Sequence, residues 1–150
     1  MDYINEKLLE FNNYLKGRKV AIIGLGVSNL PLIDYLYQLK AKVTVFDQTE
    51  INDLDQKIVR KITNYGMGMS FGEKYLEKLV GFDLIFRSPS CLPTNPYLVA
   101  EAEKGAIITT EVEMVIELSP CKVIGVTGSD GKTTTTTLIS EILKAKEYNV

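Results

Sequence analysis

Short apolar runs alternate with amphipathic segments along this chain, and the alternation restricts the fold more than any other feature. Strands that alternate with helices form a parallel sheet, and continuous apolar runs indicate strands buried on both faces. The sequence therefore predicts an α/β fold with a Rossmann-like parallel sheet covered by helices. The predicted strands are KVAIIGLG (19–26), KVTVFD (42–47), FDLIFRSPS (82–90), AIITT (106–110) and KVIGVTG (122–128).

The segments between these runs carry signals for where helices begin and end. Asn95 and Pro96 suit the N-cap and first position of a helix that Gly105 stops. Thr110 and Glu113 have the spacing of a capping box, in which each side chain bonds the other residue's backbone N–H. Further helices are predicted over 3–16, 30–40, 50–63, 73–80 and 131–147, with Ser70 and Glu73 as a capping box for the fourth.

Composition excludes several classes of function. The 150 residues contain no histidine, so no histidine of this chain serves as a base, a nucleophile or a metal ligand. The net charge of −2 gives no general attraction to nucleic acid or to an anionic membrane, and neither partner is expected. Acidic residues interrupt the first twenty positions, which argues against a signal peptide, and the two cysteines form no CxxC motif. We expect a cytoplasmic protein.

The first glycine turn, GLGVSN (24–29), follows the first predicted strand. Its spacing is that of a dinucleotide fingerprint, except that Asn29 stands where the third glycine belongs. Asp47 lies 21 residues beyond Gly26, about where such folds place a ribose-binding acid. The pattern indicates a nucleotide-binding domain without naming the nucleotide. The alternative is a tight strand–helix turn with no ligand, in which Asp47 merely ends a strand.

The second glycine turn, TGSDGKTT (127–134), also joins a predicted strand to a predicted helix. Val126 stands where the long phosphate-loop motif needs a glycine, so only the short form, GxxGKT, is present. Glycines and a helix N-terminus present backbone amides to an anion, and Lys132 can reach phosphate oxygens. The Asp130 carboxylate would repel phosphate, so we expect it to point outward. The alternative is a capped helix start with a chance Gly-Lys-Thr.

Five consecutive threonines, 133–137, open the last predicted helix, although β-branched residues are poor helix formers. The Thr133 hydroxyl can ligate Mg²⁺, which gives the first of them a chemical reason. We expect the hydroxyls of 135–137 to bond backbone groups of the first turn. The predicted buried stripe of this helix is Leu138, Ile139, Ile142 and Leu143.

Taken together and in chain order, VAIIGLGVSN, VFD, DLIFRSPS, TTEVEM and GVTGSDGKTTTTTLI resemble the Mur ligase family. The resemblance implies a cytoplasmic three-domain enzyme of peptidoglycan synthesis, and hence of cell-wall biogenesis, cell shape and cell division. It implies an ATP- and Mg²⁺-dependent ligase that adds D-glutamate to UDP-N-acetylmuramoyl-L-alanine. In that chemistry the substrate carboxylate becomes an acyl phosphate, and the D-glutamate amine then displaces phosphate.

The same resemblance implies roles for individual residues. Lys132 would contact the γ-phosphate and Thr133 the Mg²⁺ ion, which makes these two the candidate catalytic residues. The family usually has glycine at the positions of Asn29 and Ser90, and asparagine at that of Asp130. The implied UDP-substrate residues are Gly26, Val27, Ser28, Asp47, Gln48, Ser88, Pro89 and Ser90. The implied ATP-binding residues are Gly128, Ser129, Asp130, Gly131, Lys132, Thr133 and Thr134.

The joint at Pro120 predicts two domains. Residues 1–119 would be a Rossmann-like UDP-substrate domain, and 120–150 the first strand–P-loop–helix unit of a truncated ATPase domain. We expect such an N-terminal fragment to lack the D-glutamate site and ligase activity. The apolar residues Val123, Ile124 and Val126 would pack on the first domain, pair with a second copy to form a dimer, or be poorly ordered. The alternatives are an NAD-binding Rossmann module and another Mur- or folate-type ligase.

Overall fold

The computed structural model describes residues 4–150. The chain forms two compact units, with the division between Pro120 and Cys121. The first unit is built on a five-stranded sheet in which every neighbouring pair of strands is parallel, in the order β3-β2-β1-β4-β5. The predicted α/β architecture with a parallel sheet is confirmed. The strands are β1 (Lys19–Ile23), β2 (Lys42–Asp47), β3 (Gly68–Phe71), β4 (Leu84–Arg87) and β5 (Ile107–Thr109).

Helices cover both faces of this sheet. Alternate residues of each strand point to opposite faces, so the apolar strands bury side chains on both. One face carries Ile22 and Phe86 against α1, α2, α3 and α5, while the other carries Ile23 and Phe46 against a short 3₁₀ helix and α4. The bounds are α1 (Glu6–Leu15), α2 (Leu30–Gln38), α3 (Gln56–Asn64), the 3₁₀ helix (Tyr75–Lys78), α4 (Pro96–Glu103) and α5 (Glu111–Leu118).

The strand order reverses beside β1. From β1 the chain adds β2 and then β3 on one side, and β4 and β5 then lie on the other side. Ile23, the last residue of β1, is in register with Phe46 of β2 and with Arg87 of β4. The loops that follow these three strands therefore leave the sheet at the same edge. In open parallel sheets this edge, where the order reverses, is the usual place for a ligand crevice.

Two of the predicted helix starts are confirmed. The Asn95 side chain accepts a hydrogen bond from the Tyr97 N–H at 3.0 Å, and Pro96 begins α4. Thr110 and Glu113 form both hydrogen bonds of a capping box at the start of α5.

The predicted capping box of Ser70 and Glu73 is wrong. Ser70 lies inside β3, and its hydroxyl donates to the Tyr75 carbonyl at 2.8 Å. The hydroxyl therefore serves the strand–helix connection rather than a helix N-terminus. The segment that follows forms only the four-residue 3₁₀ helix, whose N-cap, Lys74, makes no side-chain capping bond.

The second unit, Cys121–Val150, contains one helix, α6 (Lys132–Ala145). The strand predicted at 122–128 is not formed, because a strand needs a second strand for its ladder bonds and none of residues 121–150 forms one. The predicted buried stripe is also wrong: no residue of α6 is buried, and Leu138 and Ile142 are exposed. Across the described range, 4–150, no helix is long and apolar enough to cross a membrane.

Candidate functional site

A cavity of about 500 Å³ lies at the carboxyl edge of the sheet, where the loops after β1, β2 and β4 come together. All eight residues predicted for the UDP-substrate site line it. Residues that are as far apart in sequence as Gly26 and Ser90 thus face one space. The eight are Gly26, Val27, Ser28, Asp47, Gln48, Ser88, Pro89 and Ser90.

Gly24 brings the loop after β1 against the loop after β4. Its N–H donates to the Phe46 carbonyl at 2.7 Å, and its φ of +87° is one that favours glycine. A Cβ atom at this position would lie 2.8 Å from Cβ and 2.9 Å from Oγ of Ser88. The first glycine of the turn is therefore required twice, by its backbone angle and by the approach of Ser88. The sequence pattern predicts the turn but carries no signal for this contact.

Asp47 joins the loop after β2 to the first glycine turn. Its side chain is buried, and its two oxygens accept hydrogen bonds from backbone N–H groups: Oδ2 from Leu25 at 2.7 Å and Oδ1 from Thr49 at 2.8 Å. Hydrogen bonds to a carboxylate are stronger than those between neutral groups. The carboxylate therefore fixes the shape of the cavity wall. Its predicted contact with the uracil end of a substrate stays a prediction.

Three consecutive backbone N–H groups, those of residues 26–28, lie in a loop that lines this cavity. Among the described residues, none of the three donates a hydrogen bond. Consecutive backbone amides at a glycine turn create a concave surface that attracts anions. No lysine or arginine of the described chain lines the cavity, so an anion there would be bound by backbone amides and neutral polar side chains.

The start of α2, by contrast, has few donors left. The N–H groups of Asn29 and Leu30 both donate to the Gly26 carbonyl, at 3.0 and 3.2 Å. Pro31 has no N–H, and the N–H of Leu32 donates to the Asn29 carbonyl at 3.1 Å. Helix N-termini usually bind phosphate through such groups. Here an anion would be held by the loop amides rather than by the helix.

The side chain of Asn29 is buried beneath the first glycine turn, with only 2% of its surface exposed. Its Nδ2 donates to the Ile23 carbonyl at 2.9 Å and to the Gly24 carbonyl at 3.0 Å. The sequence pattern marks this residue only as a break in the dinucleotide fingerprint. A polar amide side chain close to a glycine turn, whose backbone carbonyls need donors, is the signal that could have identified it.

The loop after β4 supplies hydroxyl groups. The Ser88 and Ser90 side chains lie 2.9 Å apart, oxygen to oxygen, and form a hydrogen bond. The Ser88 N–H donates to the Ile23 carbonyl at 2.9 Å, which extends the β1–β4 pairing into the loop. Ser90 is exposed at the rim of the cavity. Its hydroxyl adds a donor at a position where a glycine would offer none.

A second cavity, of about 540 Å³, lies between α1, α2 and α5. Apolar side chains such as Phe11, Leu32 and Met114 form most of its wall, and no lysine or arginine of the described residues lines it. It has no row of free amides comparable to residues 26–28. The cavity at the carboxyl edge of the sheet is therefore the better candidate for a polar, anionic ligand.

The second glycine turn opens α6 in the other unit. Gly131 is the N-cap with a φ of +73°, and Lys132 follows as the first helical residue. The Lys132 ammonium donates to the carbonyls of Gly128 and Ser129, the latter at 3.0 Å. The N–H groups of residues 132–134 have no acceptor among the described residues. Within residues 4–150 no three Cys, Asp or Glu side chains cluster as they would to hold a metal ion.

Comparison with known families decides the relationship of this chain. The family model described as the N-terminal domain of MurD-like Mur ligases matches residues 18–110. The chain belongs to the Mur ligase family. The matched range includes all three loops of the cavity, and it ends before the second glycine turn.

Curated relatives are similar to this chain over nearly all of its length. A UDP-N-acetylmuramoylalanine–D-glutamate ligase of Clostridium tetani is 46% identical over 147 residues, covering 98% of this chain and 32% of that protein. A protein of the same description from Clostridium botulinum strain Kyoto is 48% identical over 139 residues, with 93% of this chain and 30% of that protein covered. The chain thus spans about a third of the length of the curated relatives it matches.

Solved structures with low sequence identity support the fold of this chain and carry no information on its function. A dipicolinate synthase chain from Bacillus halodurans matches 97% of this chain and 53% of its own, with a TM-score of 0.52 and 19% identity. The corresponding chain from Bacillus subtilis gives a TM-score of 0.51 at 16% identity, covering 94% of this chain and 53% of its own. The predicted Rossmann-like arrangement of the sheet is confirmed.

Proposed function

We propose that this chain contributes the UDP-substrate site to an ATP-dependent ligase that joins D-glutamate to UDP-N-acetylmuramoyl-L-alanine in peptidoglycan synthesis. Its membership of the Mur ligase family and its relatives' descriptions support the reaction class. Such an enzyme would work in the cytoplasm, where ATP is present. The site for D-glutamate would lie outside these 150 residues.

The single observation that carries the proposal is the row of free amides at residues 26–28, in a loop that lines a cavity of about 500 Å³. A diphosphate carries negative charge on both phosphates, and backbone amides in a glycine turn are the donors that bind such groups. The volume is in the usual range for small-ligand sites, roughly 300–1,000 Å³. The uridine end would lie toward Gln48 and Thr49, and Ser88 and Ser90 would border the phosphates.

The geometry disfavours the alternative of an NAD-binding module. A dinucleotide fold places the pyrophosphate on the N-terminus of the helix after the first strand, and a third glycine allows close packing there. In this chain the N–H groups of Asn29, Leu30 and Leu32 are already bonded, and Pro31 has none. Asn29 occupies the position of the third glycine. The N–H groups at the start of α2 that a dinucleotide would use therefore already have acceptors within the chain, whereas the free amides of residues 26–28 lie in the loop before it.

The second glycine turn has the donors that ATP phosphates require. The amides of residues 132–134 have no acceptor among the described residues, and Gly131 turns the backbone into α6. Lys132 would give up its bonds to the Gly128 and Ser129 carbonyls to contact phosphate oxygens. The Thr133 hydroxyl is an oxygen ligand of the kind that Mg²⁺ prefers. ATP with Mg²⁺ would activate the substrate carboxylate for attack by the amine.

Isothermal titration calorimetry of the chain with UDP-N-acetylmuramoyl-L-alanine tests the proposal, with NAD⁺ in a parallel titration. Gly26→Ala is the informative variant, because Gly26 has no positive φ and a Cβ there meets no atom within 4 Å, so the fold tolerates it. The added methyl group would crowd the ligand. Gly125→Ala is the matched control, since Gly125 also has open space and no positive φ.

We expect the UDP-sugar to bind and NAD⁺ to give no heat. Gly26→Ala should weaken the UDP-sugar about tenfold or more, the equivalent of at least 1.4 kcal/mol, at an unchanged melting temperature. Gly125→Ala should change neither quantity. Binding of NAD⁺ alone, or an unchanged affinity in Gly26→Ala, would contradict the proposed site.

A further inference from the structure

We infer that Asn29 is a positioning residue that holds the first glycine turn in the conformation its free amides need to bind an anion. This inference rests on the proposed function, because it concerns the same cavity. It assigns a role to a residue at which the dinucleotide fingerprint has glycine and whose side chain bonds the backbone of the turn.

The direction of the side chain is the first argument. Asn29 stands at the N-cap of α2, where an asparagine usually bonds an N–H of the first helical turn. It makes no such bond. Instead its amide points back toward the strand and uses both hydrogens of Nδ2, on the Ile23 and Gly24 carbonyls at 2.9 and 3.0 Å. The residue therefore serves the turn and not the helix.

The second argument is that this turn needs support. It contains Gly24 and Gly26, whose backbones have the widest conformational freedom, and Val27 at its tip is 89% exposed. Ordering such a segment at the moment of binding would cost affinity. A side chain that orders the loop before the ligand binds avoids that cost.

The third argument is electrostatic. The carbonyl oxygens of Ile23 and Gly24 lie at the end of β1, where Gly24 lines the cavity, and a carbonyl oxygen without a donor there would repel a phosphate. The Asn29 amide covers both with hydrogen-bond donors. The Ile23 carbonyl also accepts from the Ser88 N–H at 2.9 Å, so the same oxygen links the first glycine turn to the loop after β4. A glycine at position 29 could supply neither of the two bonds that Asn29 Nδ2 donates.

Two variants and one control test the inference. Asn29→Gly removes both hydrogen bonds, and Asn29→Asp keeps the shape but sets a carboxylate against two carbonyl oxygens. Val43→Ala is the control for a general loss of stability, because Val43 is buried near the amino end of β2, away from the cavity. Each is compared with the wild-type chain by thermal unfolding, by calorimetric titration with UDP, and by amide hydrogen exchange without ligand.

In the exchange measurement the N–H groups of Gly24 and Leu25 are the probes, since they are bonded to the Phe46 carbonyl and the Asp47 carboxylate. We expect Asn29→Gly to accelerate exchange at both and to lower the affinity for UDP about tenfold. Asn29→Asp should lower it further. Val43→Ala should lower the melting temperature about as much as Asn29→Gly does. It should keep the wild-type affinity for UDP and the wild-type exchange rates at both amides.

Unchanged exchange at Gly24 and Leu25 in Asn29→Gly would overturn the inference. So would a loss of UDP affinity in Val43→Ala as large as that in Asn29→Gly, because the role would then be one of general stability. If the wild-type chain binds neither UDP nor UDP-N-acetylmuramoyl-L-alanine, the proposed function fails. The exchange measurement, which needs no ligand, then decides alone whether Asn29 holds the turn.

Discussion

The Asp47 carboxylate accepts a hydrogen bond from the Leu25 N–H at 2.7 Å and so joins the carboxyl ends of β2 and β1. Its other oxygen accepts from the Thr49 N–H at 2.8 Å. One buried side chain thereby sets the spacing between two walls of the cavity. Asp47, which ends β2, therefore shapes the candidate ligand site by holding the backbone of Leu25 and Thr49.

Replacing Asp47 with alanine should therefore lower both stability and UDP affinity. The N–H groups of Leu25 and Thr49 would lose their acceptors, at a cost of about 1–3 kcal/mol. Urea unfolding measures the first effect and calorimetric titration with UDP the second. Asp53→Ala is the control, because Asp53 is exposed and its side chain makes no hydrogen bond or ion pair among the described residues. A stable variant with normal affinity would contradict the bridging role of Asp47.

Gly24→Ala should be more damaging than Gly17→Ala. Both glycines have positive φ, +87° and +73°, so each substitution incurs the cost of a left-handed conformation, about 1–2 kcal/mol. Only at Gly24 would the new Cβ also collide with the Ser88 side chain, since nothing lies within 4 Å of a Cβ at Gly17. The difference in unfolding free energy between the two variants measures the collision. Equal losses would mean that the loop after β4 moves aside freely.

Glu101 should give the first unit a pH-dependent stability. It is 1% exposed on α4, and its carboxylate accepts from the N–H groups of Gly81 and Phe82 and from the Lys104 ammonium. Burial opposes ionisation, but these donors outweigh it and lower the pKa of the Glu101 carboxyl below its ordinary value of 4.5. A lowered folded-state pKa stabilises the fold above the unfolded value and loses that effect as the pH falls through the folded one.

Glu101→Gln should therefore cost about 1–3 kcal/mol at neutral pH. The difference in unfolding free energy between wild type and variant should narrow as the pH falls below about 4.5, because the wild-type carboxyl then takes up a proton. Unfolding in urea at a series of pH values measures it. Glu103→Gln, at an exposed position of the same helix, should leave the curve unchanged. If the difference in unfolding free energy does not change with pH, the ionised Glu101 carboxylate is not its cause.

The sheet and most helices could be predicted because their signals are local. The apolar runs of the first unit, the Asn95–Pro96 start and the Thr110–Glu113 capping box each lie within a few residues, and these predictions agree with the structure. The Ser70–Glu73 pattern has the same spacing and fails, because Ser70 is held inside β3 by its pairing with Phe46 of β2. Sequence spacing alone does not show which partner a hydroxyl will have.

In the candidate site too, some features could be predicted from the sequence and others could not. Glycine turns and strand-ending polar residues predict which positions line the cavity, since parallel strands end at one edge of a sheet. The closeness of Gly24 to Ser88, and the two carbonyls that Asn29 covers, depend on how β1, β4 and α2 meet. Segment 122–128 has the composition of a strand, yet it forms none because strand structure requires a partner outside the segment.

The α6 helix should be the least protected regular element of the chain in amide hydrogen exchange. It has 14 residues and buries none of them, and isolated helices shorter than about 12–15 residues are marginal in water. Its threonines weaken it further, because alanine is favoured over threonine by up to about 0.7 kcal/mol in a helix. The amides of β1, by contrast, lie in a buried strand and should exchange slowly.

A pair of substitutions at Thr135 makes this expectation specific. The Thr135 N–H bonds the Gly131 carbonyl at 2.9 Å, whereas its hydroxyl has no hydrogen-bond partner among the described residues. Thr135→Ala should therefore slow exchange throughout α6, and Thr135→Gly should accelerate it, with no change in β1. Equal exchange in the two variants, or wild-type protection in α6 that matches β1, would mean that tertiary contacts rather than intrinsic propensity hold this helix.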